Sequence, residues 1–275
     1  MMIFGSIGVF RRYIPLSSAF IAFTRGILGG LFLFLLMRIS GKGSKEKISA
    51  RNYPALVISG AVIAVNWILL FEAYNHTTVA VATLCYYMQP TIVMLLSPLI
   101  FKERMTVKKA ICAAAAVVGM ALVSGVIGTP GAHAGSVRGI LLGLGAAVCY
   151  SAVIIMNKKT GGIDTYRKTT VELLSAGIIM IPYLFITNGF ANVELDVKTL
   201  ILLLIVGILH TGIAYPLYFG SMKGLSVQSV AILSYADPVS ALVFSAVFLK
   251  EPIGVPCMIG AVMIIGSAIF MELRE

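Results

Sequence analysis

Tyr86–Glu103, YYMQPTIVMLLSPLIFKE, sets an amide and a proline inside an apolar run and closes that run on two charges. Ser234–Glu251, SYADPVSALVFSAVFLKE, follows the same plan 148 residues later. A proline within a helix removes one N–H and crowds the carbonyl four residues earlier. An apolar helix tolerates this only where other protein or water meets the freed group. The chain builds this device twice, and the residues around it decide what the device is for.

Working outward, apolar stretches of the length that crosses a bilayer, about 20 residues, fill the sequence. They run over residues 17–37, 55–74, 78–101, 107–127, 137–156, 170–185, 200–222, 227–249 and 253–271. A further apolar stretch, 1–10, stops at Arg11 and Arg12 and reads as a shortened span. The 275 residues are 59% hydrophobic and 12% charged, with a mean hydropathy of +0.98. A soluble domain carries about twice that charged share, so the composition describes an all-α polytopic membrane protein, with the lipid bilayer as its surroundings.

A formal charge of +10 raises the question of nucleic acid. With alternating spans, fifteen of the 21 Lys and Arg fall on one side and five on the other, with Arg25 inside a span. That is the positive-inside asymmetry. It accounts for the charge without a nucleic-acid partner, and it expects both termini in the cytoplasm of a bacterial inner (plasma) membrane. The four cysteines lie in apolar spans without C-x-x-C spacing, so no disulfide and no metal site is expected.

Residues 67–113 align with 215–261 without a gap, giving eleven identities in 47 positions. Among these are Tyr87/Tyr235, Pro90/Pro238, Lys102/Lys250 and Glu103/Glu251. A duplication of five spans, an odd number, inserts its second copy upside down, the inverted-repeat plan of alternating-access carriers with a site near the membrane midplane. The expected organisation is a first five-helix repeat over 1–128, an external linker over 129–136 and a second, inverted repeat over 137–275. That gives ten transmembrane helices, the first one shortened. Continued backwards, the register expects eight or ten more residues ahead of Met1, or a first helix that is short.

The segments LFEAYNHTTVAVATLCYYMQPTIVMLLSPLIFKERMT and AILSYADPVSALVFSAVFLKEPIGVPCMIGAVMIIGSAIF, with FTRGILGGL around Arg25, resemble the EamA-type members of the drug/metabolite transporter superfamily. The resemblance covers essentially the whole chain. It implies two inverted bundles of five helices, a central cavity and, in many members, solute export. It does not imply a substrate.

Gln89 and Asp237 stand immediately before the two prolines, at equivalent positions of the halves. An acid at bilayer depth costs about 2.5–3.5 kcal/mol on insertion scales, so Asp237 is expected to face the bundle interior. It either contacts solute or proton, or makes a structural bond between helices. Ser234 and Asp237 share a helix face, as do Thr83, Tyr86 and Gln89. Both stripes are expected to line the cavity, with Tyr87 and Tyr235 as flanking aromatics and Trp67 and Tyr215, in matching register, as its walls. Arg25 is either a clamp on neighbouring helices or a contact for a substrate carboxylate. Three more groups are candidates for proton coupling beside Asp237: Glu172, Glu72 with His76 four residues on, and His210 in mid-span. Each has a bland alternative, as a bundle salt bridge, a rim pair and a packed histidine respectively. Pro90 and Pro238 are expected to kink their helices.

No H-E-x-x-H, G-x-S-x-G or phosphate-cradling loop occurs, so no catalytic residue and no cofactor is expected. The reading is a secondary active transporter that exports a small polar metabolite, such as an amino acid, by alternating access, with proton coupling as an option. A lipophilic-cation exporter and a flippase for lipid-linked sugars are the alternatives. The expected partners are a small-molecule substrate and the bilayer, with monomer or homodimer left open.

Overall fold

In hydrocarbon no water satisfies backbone N–H and C=O groups, so apolar segments of this length must bond internally. The computed structural model is accordingly helical, with no strand among the described residues. It describes residues 2–40, 48–101, 106–123, 136–159, 163–191, 193–214, 217 and 236–272. In chain order the helices are α1 (Met2–Gly5), α2 (Ile7–Arg12), α3 (Ser18–Ser40), α4 (Tyr53–His76), α5 (Val79–Tyr86), α6 (Gln89–Phe101) and α7 (Val107–Val123). They continue with α8 (Val137–Lys159), α9 (Thr165–Ile186), α10 (Val197–Leu204), a π-helical segment (Ile205–Ile213), α11 (Ala236–Phe248) and α12 (Val255–Glu272).

Five helical stretches are long and apolar enough to cross a membrane, and shorter apolar helices accompany them among the described residues. Large apolar side chains point outward, with Ile39 85% and Ile186 81% exposed. In water such surfaces would associate; in lipid they are at home.

Several boundaries differ from those that hydropathy gives, each for a local reason. The segment expected to begin at residue 170 begins at Thr165, because Asp164 caps it, accepting from the Arg167 N–H at 3.1 Å. Polar Arg167 and Lys168 hide that first turn from a hydropathy reading. The segment expected as one regular span from residue 200 is α10 followed by π-helix, and beyond Ala214 it lies almost wholly outside the described residues. The first apolar stretch is two short helices, and Arg11, expected to end it as a polar flank, is buried. Its Nη1 donates to the Ile14 carbonyl at 3.1 Å and its Nη2 to Ser18 Oγ at 3.2 Å. The linker expected at 129–136 is outside the described residues except for Ser136.

By compactness the chain forms two units, each drawn from both halves of the sequence. The first comprises Met1–Val9, Leu69–Ser151 and Gly224–Glu275; the second comprises Phe10–Ile68 and Ala152–Lys223. The first unit has a core of Leu84, Cys85, Ala116, Ala147 and Ile264, all buried. There α7 and α12 approach through Gly119 and Gly260, where a Cβ on either would overlap the other's carbonyl oxygen. In the second unit α3 packs on α9 and on the π segment. A Cβ at Gly26 would lie 2.8 Å from the Gly177 nitrogen and 2.9 Å from the Leu173 carbonyl. Small residues at such crossings let helix backbones touch where lipid offers no hydrophobic drive to associate.

Candidate functional site

In the first unit Pro90 determines the local chain path. It lacks an N–H to donate to the carbonyl four residues back, and α5 stops at Tyr86 while α6 restarts at Gln89. Between them Tyr87 and Met88 form a turn, with Tyr87 N donating to Thr83 O at 2.9 Å and Met88 N to Cys85 O at 3.1 Å. The expected kink is a break of two residues within the apolar stretch 79–100, with the proline in the first turn of α6. Pro238 likewise stands in the first turn of α11 as described. The break also corrects the expected stripe of Thr83, Tyr86 and Gln89. Thr83 and Tyr86 share α5, but Gln89 opens another helix, and i, i+3 spacing does not carry across the turn.

The turn delivers the Tyr87 hydroxyl to Asp237, the second residue of α11, where it donates to Oδ2. Asp237 is half-buried. Around this contact Tyr86 meets Tyr87 edge-on at 5.8 Å and Tyr150, on α8, at 5.6 Å. Ser151 Oγ donates to the Gln89 carbonyl at 3.1 Å and to Ala147 O at 2.8 Å. Gln89 Oε1 is buried without a hydrogen-bond partner among the described residues. Thr83 is buried beside the Tyr74 hydroxyl at 3.4 Å. Further along, Glu72 and His76 pair at 3.2 Å across one turn, both part-exposed, and Asn75 Nδ2 donates to the same carboxyl group at 3.1 Å. Ser234 and Tyr235 lie outside the described residues.

The second unit holds two polar clusters. Arg25 lays its guanidinium 4.3 Å from the Trp67 ring centroid and donates from Nε to Thr211 Oγ1 at 2.8 Å. All three side chains are buried. The π segment places Thr211 here, with its hydroxyl donating to the carbonyl five residues back, Val206 O, at 3.1 Å. His210, in the same segment, is fully buried, with Nδ1 3.2 Å from Ile205 O and its ring edge-on to Phe10. In the other cluster Glu172 Oε1 accepts from Ser59 Oγ at 2.6 Å and from Asn157 Nδ2 at 2.9 Å, while Lys168 Nζ donates to Asn157 O at 2.9 Å. Tyr215, the expected register partner of Trp67, is outside the described residues.

Tyr150, Ser59, Asn157, Lys168 and Thr211 contact the expected residues or their partners and were not singled out in the sequence. Asn157 and Thr211 carried a signal, since each is a polar side chain within an apolar span. Tyr150 and Ser59 carried none that distinguishes them from packing residues.

The EamA-like transporter family matches this chain twice, over residues 1–125 and 137–273. The chain is 30% identical over 276 residues to the uncharacterized transporter YxxF of Bacillus subtilis (strain 168), covering 100% of this chain and 88% of that protein. Over 89 residues, 32% of this chain and 30% of the other, it is 34% identical to the pseudopaline exporter CntI of Pseudomonas aeruginosa. A solved crystal structure shares its fold with a TM-score of 0.68 at 19% identity, over 98% of this chain and 92% of that one. With apolar helices long enough to span and a family match along nearly its whole length, the chain is a multi-pass membrane protein that belongs to the EamA-like transporter family of the drug/metabolite transporter superfamily.

Proposed function

We propose that the protein is a secondary active exporter of small polar metabolites such as amino acids, working by alternating access and coupled to protons through Asp237. The observation that carries this reading is the Tyr87–Asp237 contact. A carboxyl group set at the start of a proline-opened helix accepts from a phenol at a helix break. Such a partner can be exchanged for a solute amine or a proton without leaving an unpaired buried charge. Buried polar groups of both signs, Arg25 and Glu172 among them, suit a zwitterionic solute. The partial likeness to an exporter supports outward transport.

In this proposal the chain carries ten spans as two inverted repeats, 1–128 and 137–275, with both termini in the cytoplasm. The double family match supports the duplication. So does the packing of α3 on α9 and of α7 on α12, since each pair joins helices that the repeat register relates. Lipophilic-cation export is the second reading, and the Tyr86–Tyr87–Tyr150 cluster favours it because aromatic faces attract cations.

The test is flux into proteoliposomes under an imposed pH gradient, with amino acids screened beside quaternary-ammonium compounds. Gradient-driven uptake of an amino acid is expected for the wild type, with Asp237→Asn losing the gradient dependence and Tyr87→Phe reducing turnover by about tenfold. Uptake of cations alone would transfer the proposal to the second reading, and coupled flux that persists in Asp237→Asn would remove Asp237 from it.

A further inference from the structure

The Lys-Glu pair that closes the second proline-bearing segment has a task of its own. After α11 ends at Phe248, Lys250 adopts a left-handed backbone, φ 54°. The chain turns back there, with Leu249 N donating to Ser245 O at 3.1 Å and Glu251 N reaching the same carbonyl at 3.3 Å. The turn brings the Glu251 carboxyl group over the first residue of α5, where Oε2 accepts from the Val79 N–H at 2.8 Å and from Ser245 Oγ. Val79 and Ser245 are completely buried. The same first turn of α5 has a local cap as well, Thr78 Oγ1 accepting from Val81 N at 3.1 Å.

Two acids of one segment thus hold opposite ends of one short helix. Asp237, at the start of α11, takes the Tyr87 hydroxyl just past the C-terminus of α5; Glu251, just past the end of α11, takes the N–H at the N-terminus of α5. The helices α5 and α11 therefore run antiparallel and pack against each other. At eight residues α5 is about 12 Å long, too short to be stable by its own hydrogen bonds, and the turn at Tyr87–Met88 separates it from α6. Glu251 and Asp237 therefore meet it at its two ends. An acidic group at its N-terminus suits the partial positive charge there.

We infer that Glu251 is a positioning residue for the Tyr87–Asp237 contact: by pinning the N-terminus of α5 to the end of α11, it fixes where the other end of α5 presents the Tyr87 hydroxyl. Releasing Glu251 lets α5 slide or tilt along α11 and carries Tyr87 away from Asp237. The role that this gives Glu251 in transport rests on the proposed role of Asp237; the mechanical coupling does not, and it is tested without substrate.

The experiment uses the full chain in lipid nanodiscs with 3-fluorotyrosine placed at position 87, reading its 19F resonance together with hydrogen exchange of the α5 amides. Asp237→Asn sets the resonance of a Tyr87 that has lost its carboxyl partner. Glu251→Gln and Glu251→Ala are expected to move the resonance toward that position, Ala further than Gln, and Glu251→Ala to speed exchange in α5 at least tenfold. Thr78→Ala weakens the same first turn without touching α11. It is expected to speed local exchange and leave the resonance in place. A resonance unmoved by both Glu251 substitutions overturns the inference, whether or not exchange rises, because the cap would then be local. So does a shift of equal size in Thr78→Ala, which would make any loosening of α5 sufficient. Glu251→Gln keeps the side-chain volume and a carbonyl acceptor, so it decides the matter if Glu251→Ala fails to fold.

Discussion

Arg25 uses the shape of its guanidinium as much as its charge. The plane covers the Trp67 ring while Nε, at the edge of the same plane, donates to Thr211. A lysine ammonium can take one of these places and not both. Arg25→Lys is therefore expected to lose about 0.5–2 kcal/mol of stability, the worth of one of the two interactions, and Arg25→Ala more, since it forfeits both. Thr211→Val, which removes the hydroxyl alone, should lose about 0.5–1.5 kcal/mol. Unfolding of the three variants in one detergent checks the order, and a wild-type-like Arg25→Lys would show that a positive charge is all the site needs. At this scale the sequence was half legible. The expense of an intramembrane charge marks Asp237, Arg25 and Glu172 directly. Their partners were not marked, because repeat register relates equivalent positions and says nothing about contacts. Gln89 is the register mate of Asp237, yet a residue that reaches Asp237 is Tyr87, two positions away and in the turn between α5 and α6.

At the scale of elements, hydropathy located the helices and Pro90 located the break. What it could not locate is backbone that departs from α-helix within an apolar stretch. The π segment Ile205–Ile213 is such a case: apart from His210 and Thr211 it is aliphatic or glycine, and two adjacent polar residues do not define a period. Glycines on both sides of its contact with α3 make the departure possible, Gly29 meeting Thr211 and Gly207 meeting Leu28. The turn after α11 is another case. Lys250 at φ 54° occupies a conformation that costs a side chain about 1–2 kcal/mol. If the position is kept for the turn it makes, Lys250→Gly should leave stability unchanged or raise it by up to about 1 kcal/mol, and Lys250→Val should lower it by about 1–2 kcal/mol. Thermal unfolding compares the two. A loss in Lys250→Gly as large as in Lys250→Val would mean that the lysine side chain, rather than its backbone, holds the turn.

For the whole molecule, parity is the quantity to measure. Five spans per repeat, an odd number, oblige the two halves to enter the membrane in opposite senses, whereas an even number would leave them parallel. The double match to one family over residues 1–125 and 137–273 is compatible with either count, and the described residues supply five helical stretches of full spanning length and several shorter ones. The Lys and Arg asymmetry supplies direction: fifteen on one side against five on the other is expected to hold both termini in the cytoplasm and residues 129–136 outside. Reporter fusions after Gly131 and after Glu275 read this directly, using alkaline phosphatase, active only outside, and a fluorescent protein that matures only inside. The fusion after Gly131 should give phosphatase activity and no fluorescence, and the fusion after Glu275 the reverse. Two fusions reporting the same side would give the second half an even number of spans. The repeats would then be parallel, and Gln89 and Asp237 would lose the mirrored depth that inverted repeats assign them. The opposite result fixes the second half as an odd bundle and gives the two proline-opened helices approach from opposite faces of the membrane, the arrangement in which rocking of one repeat against the other exposes a midplane site to either side in turn.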